Sequence, residues 1–198
     1  MSAQALTAGV VAVQGDVAEH AAAVRAAGTS AGYAVTVEHI RTAGGVADCD
    51  LLLLPGGEST TIAGHLRREA IDAEIAAHVD AGRPLLATCA GLIVIAADTG
   101  DPRVEPLGLL DVTVDRNAFG RQVDSFEADV AVDGLDAPFP AVFIRAPVVT
   151  ATGPDVERLA AVDGATVAVQ AGPITATAFH PELTGDDRIH QLALFEKL

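Results

Sequence analysis

The sequence has 198 residues and a formal net charge of −15, from 27 acidic and 12 basic residues, and Lys197 is its only lysine. A charge of that sign repels nucleic acid and anionic membranes, which excludes both as expected partners. No apolar run reaches the ~18 residues needed to span a bilayer. The segment Met1 to Leu6 has neither the basic nor the long apolar region of a signal peptide, so a soluble cytoplasmic protein is expected.

Half of the residues are hydrophobic, enough for a real core, and the length suits one domain spanning 1–198. The carboxylates are spread along the chain rather than blocked. With almost no lysine beside them, they suggest adaptation to high salt, where screening weakens their repulsion. Two cysteines, Cys49 and Cys89, make no disulfide framework and fit a reducing compartment. No His/Cys pair has metal-ligand spacing, so no metal is expected.

In chain order, Gly9 to Val13 is an apolar run without alternation, as in a central parallel strand. Gln14-Gly15-Asp16 breaks it. Asp16 can cap a helix running to about Ala27, on which His20 reads as an ordinary surface residue. Tyr33 to Val37 is a second strand. Asp50 to Leu54 is a third, and it ends in Pro55-Gly56-Gly57-Glu58-Ser59-Thr60-Thr61. Two glycines after a strand permit positive φ and close approach of backbone to a ligand, or simply a tight turn into a helix. That helix is expected to run through Ala81.

Arg83 to Ile93 then reads as a buried strand, a sharp turn carrying Cys89, and an apolar helix to about Ala97. Such an elbow lifts a nucleophile to the carboxyl edge of a sheet, although a cysteine there can also be plain core. The β-α alternation predicts a parallel sheet with helices on both faces, and ligands bind at its strand carboxyl ends. Residues 54–59 and 89–91 can therefore share one cleft.

After Gly100 the texture changes. Leu109 to Asp115 alternates apolar and polar, as a strand with one wet face does. Segments 125–132, 141–145 and 165–170 read as further short strands of an antiparallel extension. Arg116 to Gln122 is a polar loop with two arginines, suited to a carboxylate ligand or to surface ion pairs. Phe143-Ile144-Arg145-Ala146-Pro147 places another arginine at a strand end. Ile174 to Phe179 is a strand leading into His180-Pro181-Glu182, and a helix from Asp186 to Leu198 closes the chain. In an extended segment residues i and i+2 point the same way, so Glu182 can orient the His180 imidazole.

Cys89, His180 and Glu182 supply nucleophile, base and orienter for acyl transfer through a thioester. A neighbouring imidazolium favours the thiolate. The N–H groups of Ala90 and of the glycine loop, Gly57 in particular, can hold the oxyanion.

Pro-Gly-Gly-Glu-Ser-Thr-Thr, Thr-Cys-Ala-Gly-Leu-Ile and His-Pro-Glu-Leu stand in the order and spacing of a class I, triad-type glutamine amidotransferase. Gln14 to His20, Arg116 to Glu127 and Phe143 to Pro147 narrow the likeness. Together they resemble the glutaminase subunits of pyridoxal 5′-phosphate synthase, from about Gly9 to the C-terminus.

The resemblance implies a three-layer, mainly parallel α/β sheet of the flavodoxin-like kind. It implies hydrolysis of L-glutamine to glutamate and ammonia, with no cofactor. The ammonia would pass to a separate (β/α)₈ synthase subunit in an assembly of twelve plus twelve chains. It also implies catalytic Cys89, His180 and Glu182; glutamine contacts at Gly57, Glu58, Ser59, Arg116, Ile144 and Arg145; and a partner interface near Gln14 and His20. In the family the residue two before the nucleophile is often Gly. Here it is Ala87, small enough to keep the elbow.

A glutaminase feeding another synthase is the nearest rival, and Glu-Ser-Thr-Thr and the Arg116 to Gln122 loop speak against it. A non-catalytic binding module on a related α/β fold is the rival of another class, and it would not need His180 or Glu182.

Overall fold

The computed structural model describes residues 3–116 and 125–198. The strands, in chain order, are β1 (Gln4–Val11), β2 (Tyr33–Ile40), β3 (Leu51–Leu54), β4 (Leu85–Thr88), β5 (Ala96–Asp98), β6 (Leu110–Asp115), β7 (Phe126–Val130), β8 (Phe139–Phe143), β9 (Val148–Thr152), β10 (Glu157–Val162), β11 (Ala165–Ala171) and β12 (Ile174–Thr177). The α-helices are α1 (Val17–Ser30), α2 (Ser59–Arg68), α3 (Ile71–Asp80), α4 (Ala90–Ile95) and a single turn, α5 (Arg188–His190).

Ten strands form one mixed sheet, in the order β2-β1-β3-β4-β12-β11-β9-β6-β5 with β10 alongside β11. From β2 to β12 all neighbours are parallel; from β12 through β11 and β9 to β6 they are antiparallel. β7 and β8 pair as a separate antiparallel ribbon. β3 and β4 are the short apolar runs Leu51–Leu54 and Leu85–Thr88, and every residue in them is buried. That is what a strand covered on both faces requires. β6 keeps the expected alternation, with Leu110, Val112 and Val114 buried. The helices fall into two groups: α1 packs on β1, β2 and the C-terminal turns, and α2 packs on α3 and α4. Among the described residues no helix is long and apolar enough to cross a membrane.

Several expectations are corrected. The first strand begins at Gln4, and the residues before Gly9 are its first half, in register with Tyr33 to Val37 of β2. Asp16 makes no side-chain cap to α1, which runs on to Ser30. The helix expected to reach Ala81 is two helices. Ala70 adopts a left-handed conformation (φ 56°) and turns the chain between α2 and α3. The segment 141–145 is shifted: β8 ends at Phe143, leaving Ile144 and Arg145 in the bend beyond it. β9 and β10 carry no clean alternation and were not expected. The C-terminal helix is shorter than expected: α5 passes into a π turn, Gln191–Phe195. Of the polar loop after β6, only Arg116 falls within the described residues; Arg121 and the rest of 117–124 lie outside them.

Cys49 is core. It is 1% exposed, its thiol donates to the Gly45 carbonyl at 3.2 Å, and a Cβ on Gly9 would approach Sγ to 2.7 Å. Burial pushes the Cys49 thiol up to about 11, which makes it inert.

Candidate active site

Four strands of the parallel half, β1, β3, β4 and β12, end on one edge, and each hands the chain to a loop at the site. After β4, Cys89 sits between strand and α4 with φ 49° and ψ −108°. A non-glycine residue held there is strained, as a nucleophile elbow demands. Gly91, one turn into the elbow, has no room for a side chain: a Cβ would lie 2.3 Å from the Leu54 carbonyl oxygen. β3 and α4 are thus in backbone contact, which brings the Pro55-Gly56-Gly57 loop over Cys89.

After β12 the chain turns at His180 into a 3₁₀ turn, Pro181–Leu183. His180 and Glu182 do share a side, but through this turn rather than through an extended strand. His180 Nδ1 lies 2.8 Å from Glu182 Oε1, and the Glu182 side chain has no exposed surface. Asp16, expected as a helix cap, instead brings a second carboxylate within 3.6 Å of His180 Nδ1. Cys89 and His180 flank Gly56: a Cβ there would stand 3.3 Å from the Cys89 Cβ and 2.9 Å from His180 Cε1. Burial opposes charge on His180, but its hydrogen bonds to Cys89 and Glu182 outweigh that and lift the imidazole to about 10. Burial raises the Glu182 carboxyl, and His180 opposes the rise.

Beside Cys89 opens a cleft of about 480 Å³. Its walls include Gly57, Glu58, Ser59, Ala90, Arg116, Ile144 and Arg145, and Gln14 closes one side. Every expected contact residue, and both expected oxyanion residues, therefore meet in one place. The Gln14 side chain accepts a hydrogen bond from the Glu58 N–H at 2.7 Å, and Gly57, at φ 135°, packs so tightly on Gln14 that a Cβ would clash. Gln14 therefore braces the glycine loop.

Glu58 caps α2, its Oε2 accepting from the Thr61 N–H at 2.8 Å and from the Thr60 hydroxyl. Burial pushes the other way, yet these bonds hold its carboxyl down at about 2. Its Oε1 pairs with Arg116 at 3.3 Å, and Asp101 holds the same guanidinium at 2.8 Å.

His20 does not join the cleft. It is fully buried, with Nε2 at 3.3 Å from Glu182 Oε2. Both its surface reading and its expected place at a partner interface are corrected: α1 packs this face against the β12 turn. Asp16, His20, Thr88, Asp101 and His190 are the site neighbours that sequence reasoning did not place. Of these Thr88 stands directly before the elbow cysteine, and Asp16 and His20 fall in the Gln14 to His20 segment that carries the resemblance, while nothing in the sequence marks Asp101 or His190. Among the described residues the one close group of candidate metal ligands is Asp16, His180 and Glu182. Its two carboxylates flank the imidazole that stands beside Cys89 across Gly56, so the arrangement suits acid–base chemistry.

The sequence model of the SNO glutamine amidotransferase family matches residues 10–197. A pyridoxal 5′-phosphate synthase subunit PdxT from Halobacterium salinarum is 66% identical over 192 residues, covering 97% of this chain and 95% of that one. The protein of the same name from Haloquadratum walsbyi is 65% identical over 190 residues, covering 96% and 93%. A crystal structure described as a glutamine amidotransferase superposes with a TM-score of 0.84 at 42% identity, covering 96% of this chain and 98% of the other. The chain belongs to the SNO glutamine amidotransferase family.

Proposed function

We propose that this chain is the glutaminase subunit of a pyridoxal 5′-phosphate synthase, a single domain that hydrolyses L-glutamine with Cys89, His180 and Glu182. The observation that carries the reading is the strained elbow cysteine beside an imidazole whose far nitrogen is held by a buried carboxylate.

In this mechanism the amide of glutamine enters beside Cys89. The Glu58 carboxylate meets the α-ammonium, and Arg116 with Arg145 meets the α-carboxylate; Ser59 and Ile144 complete the wall. The sulfur attacks the amide carbon, and the resulting oxyanion is held by the N–H groups of Gly57 and Ala90. His180 passes its proton to the departing nitrogen, which leaves as ammonia and a thioester remains. Water, deprotonated by His180, then cleaves the thioester and frees glutamate.

The ammonia goes to a (β/α)₈ synthase subunit, in a complex of twelve glutaminases on twelve synthase chains in the cytoplasm. The Halobacterium and Haloquadratum relatives, each named as a subunit of the synthase, support a synthase partner. A co-purified complex whose mass corresponds to another ratio would overturn the stoichiometry. The charge of −15 and the Halobacterium and Haloquadratum relatives support a salt-adapted protein. An unfolding temperature that does not rise from 0.2 M to molar salt would count against that.

The test of the activity is glutamate release from glutamine with the synthase subunit present. Turnover is expected to fall by about 10⁴-fold or more in Cys89→Ala. Turnover surviving that substitution would remove Cys89 as nucleophile.

A further inference from the structure

Glu182 is sealed from water, and only Oε1 is taken by His180. No well-formed hydrogen bond reaches Oε2 among the described residues, but His20 Nε2 faces it at 3.3 Å. The same nitrogen lies 3.1 Å from the hydroxyl of Thr88, the residue before the elbow cysteine. On its other side His20 Nδ1 lies 3.4 Å from His190 Nε2, and the rings meet edge to face. Both imidazoles are fully buried.

The charge on Glu182 selects the tautomers. With the His20 proton on Nδ1, the lone pair of Nε2 would point at an anionic oxygen, and His190 would have to bury an unpaired N–H. With the proton on Nε2, His20 donates toward Glu182 and Thr88, and His190 Nε2–H donates to His20 Nδ1. His190 Nδ1, which has no partner, is then a bare acceptor rather than an orphaned donor.

We propose that His20 is a positioning residue for the reaction: its Nε2–H, hydrogen-bonded to Thr88, faces the second oxygen of Glu182 at 3.3 Å, His190 fixes its tautomer, and Glu182 thereby stays anionic and aimed at His180. This rests on the triad reading above. Burial, together with the nearby His190 and His180, keeps His20 well below the usual imidazole range, and burial brings His190 down to about 4. Neutral rings hold the carboxylate without cancelling its charge. The groups facing this chain of rings are Glu182 and His180 from the β12 turn, Thr88 from β4, Asp187 from the C-terminal segment and, across His180, Asp16.

The test separates support from structure by using Cys89 itself as the probe. Iodoacetamide alkylation of Cys89, followed by mass spectrometry on the otherwise wild-type chain, reads the thiolate–imidazolium pair without glutamine or a partner. His20→Leu removes the donor at similar volume. Alkylation at pH 6 is expected to slow by about tenfold, and glutamine turnover in the complex by about 10–100-fold with KM changed less than about threefold. His20→Gln, which keeps a donor where Nε2 stood, should recover most of both losses. If His20→Leu does not fold, His190→Phe decides: it frees the tautomer of His20 and should slow alkylation by a few-fold. Unchanged alkylation in whichever of the two variants folds, or equal losses in the Leu and Gln variants, would overturn the proposal. Alkylation that follows His20 while Cys89→Ala still turns over glutamine would keep this coupling and sink the triad reading instead.

Discussion

The two sides of the cleft are built on opposite principles. One wall comes from the parallel half of the sheet, where Cys89, His180 and Glu182 are all buried and each is fixed by backbone geometry or by a charged neighbour. The other wall comes from the rim, where Arg116 is pinned between Asp101 and Glu58, and Arg145 stands exposed past the end of β8. In the proposed mechanism the buried wall does the chemistry, because low dielectric makes each charge count. In the same reading the rim recognises charge nearer to water: Arg145 is exposed and Glu58 half-exposed, while Arg116 and Asp101 are mostly covered. Substitutions on the buried wall should therefore act on turnover, and those on the rim on affinity.

The sharpest way to break that division is Gly56→Ala. Its Cβ would push between Cys89 and His180, and His180 Cε1 at 2.9 Å would have to move. We expect turnover to fall by about 10³-fold or more, with a change in unfolding free energy of no more than about 2 kcal/mol. Near-normal turnover would mean that the Cys89–His180 spacing is not critical. Glu182→Gln should follow, with a loss of about 10²–10⁴-fold in turnover and glutamine affinity largely kept. An unchanged rate would take Glu182 out of the mechanism.

Next in size is a pH effect that comes from behind the buried wall. His190 is neutral in the fold, held down at about 4, but takes a proton near 6.5 once unfolded. Between those values the unfolded chain binds more protons. Its stabilising contribution is complete above about 6.5 and is lost as pH falls toward 4, on the order of 3 kcal/mol in all. Urea unfolding across pH 4–7 should show this acid arm, to which His20 and His78, also held down by burial, contribute, and His190→Phe should make it shallower without removing it. An equally steep arm in the variant would assign the loss to other groups.

The same division explains what could be read from the sequence. The wall built by the parallel strands was legible because its signals are local: apolar runs for β3 and β4, small residues around Cys89, a proline after His180. Strand ends then had to meet, since parallel sheets gather their loops on one edge. What stayed hidden is held by pairs distant along the chain. Asp16 reads as a cap, His20 as a surface residue and His190 as part of a closing helix, yet Asp16 and His20 meet the His180–Glu182 turn and His190 joins them through His20. Likewise nothing near Asp101 announces that it grips Arg116 fifteen residues on. The break at Ala70 was hidden for a different reason, because alanine is a strong helix former and carries no mark of a left-handed turn.

The rim supplies the smallest effects and the finest test. Arg116→Ala removes a cation from the glutamine side of the cleft and should raise KM by about 10–100-fold, the usual worth of a charged hydrogen bond. Asp101→Asn leaves that cation in place and removes only one of its two anchors. Because Glu58 still holds the other guanidinium nitrogen, the expected rise in KM is about 3–10-fold with turnover nearly unchanged. Molar salt should shrink the difference between wild type and this variant only in part, since the Arg116 and Asp101 side chains are 16% and 14% exposed and a mostly buried pair is screened less. An Asp101→Asn variant that loses turnover rather than affinity would show that the rim reaches the chemistry after all, with Arg116 acting through Glu58 on the glycine loop that Gln14 braces.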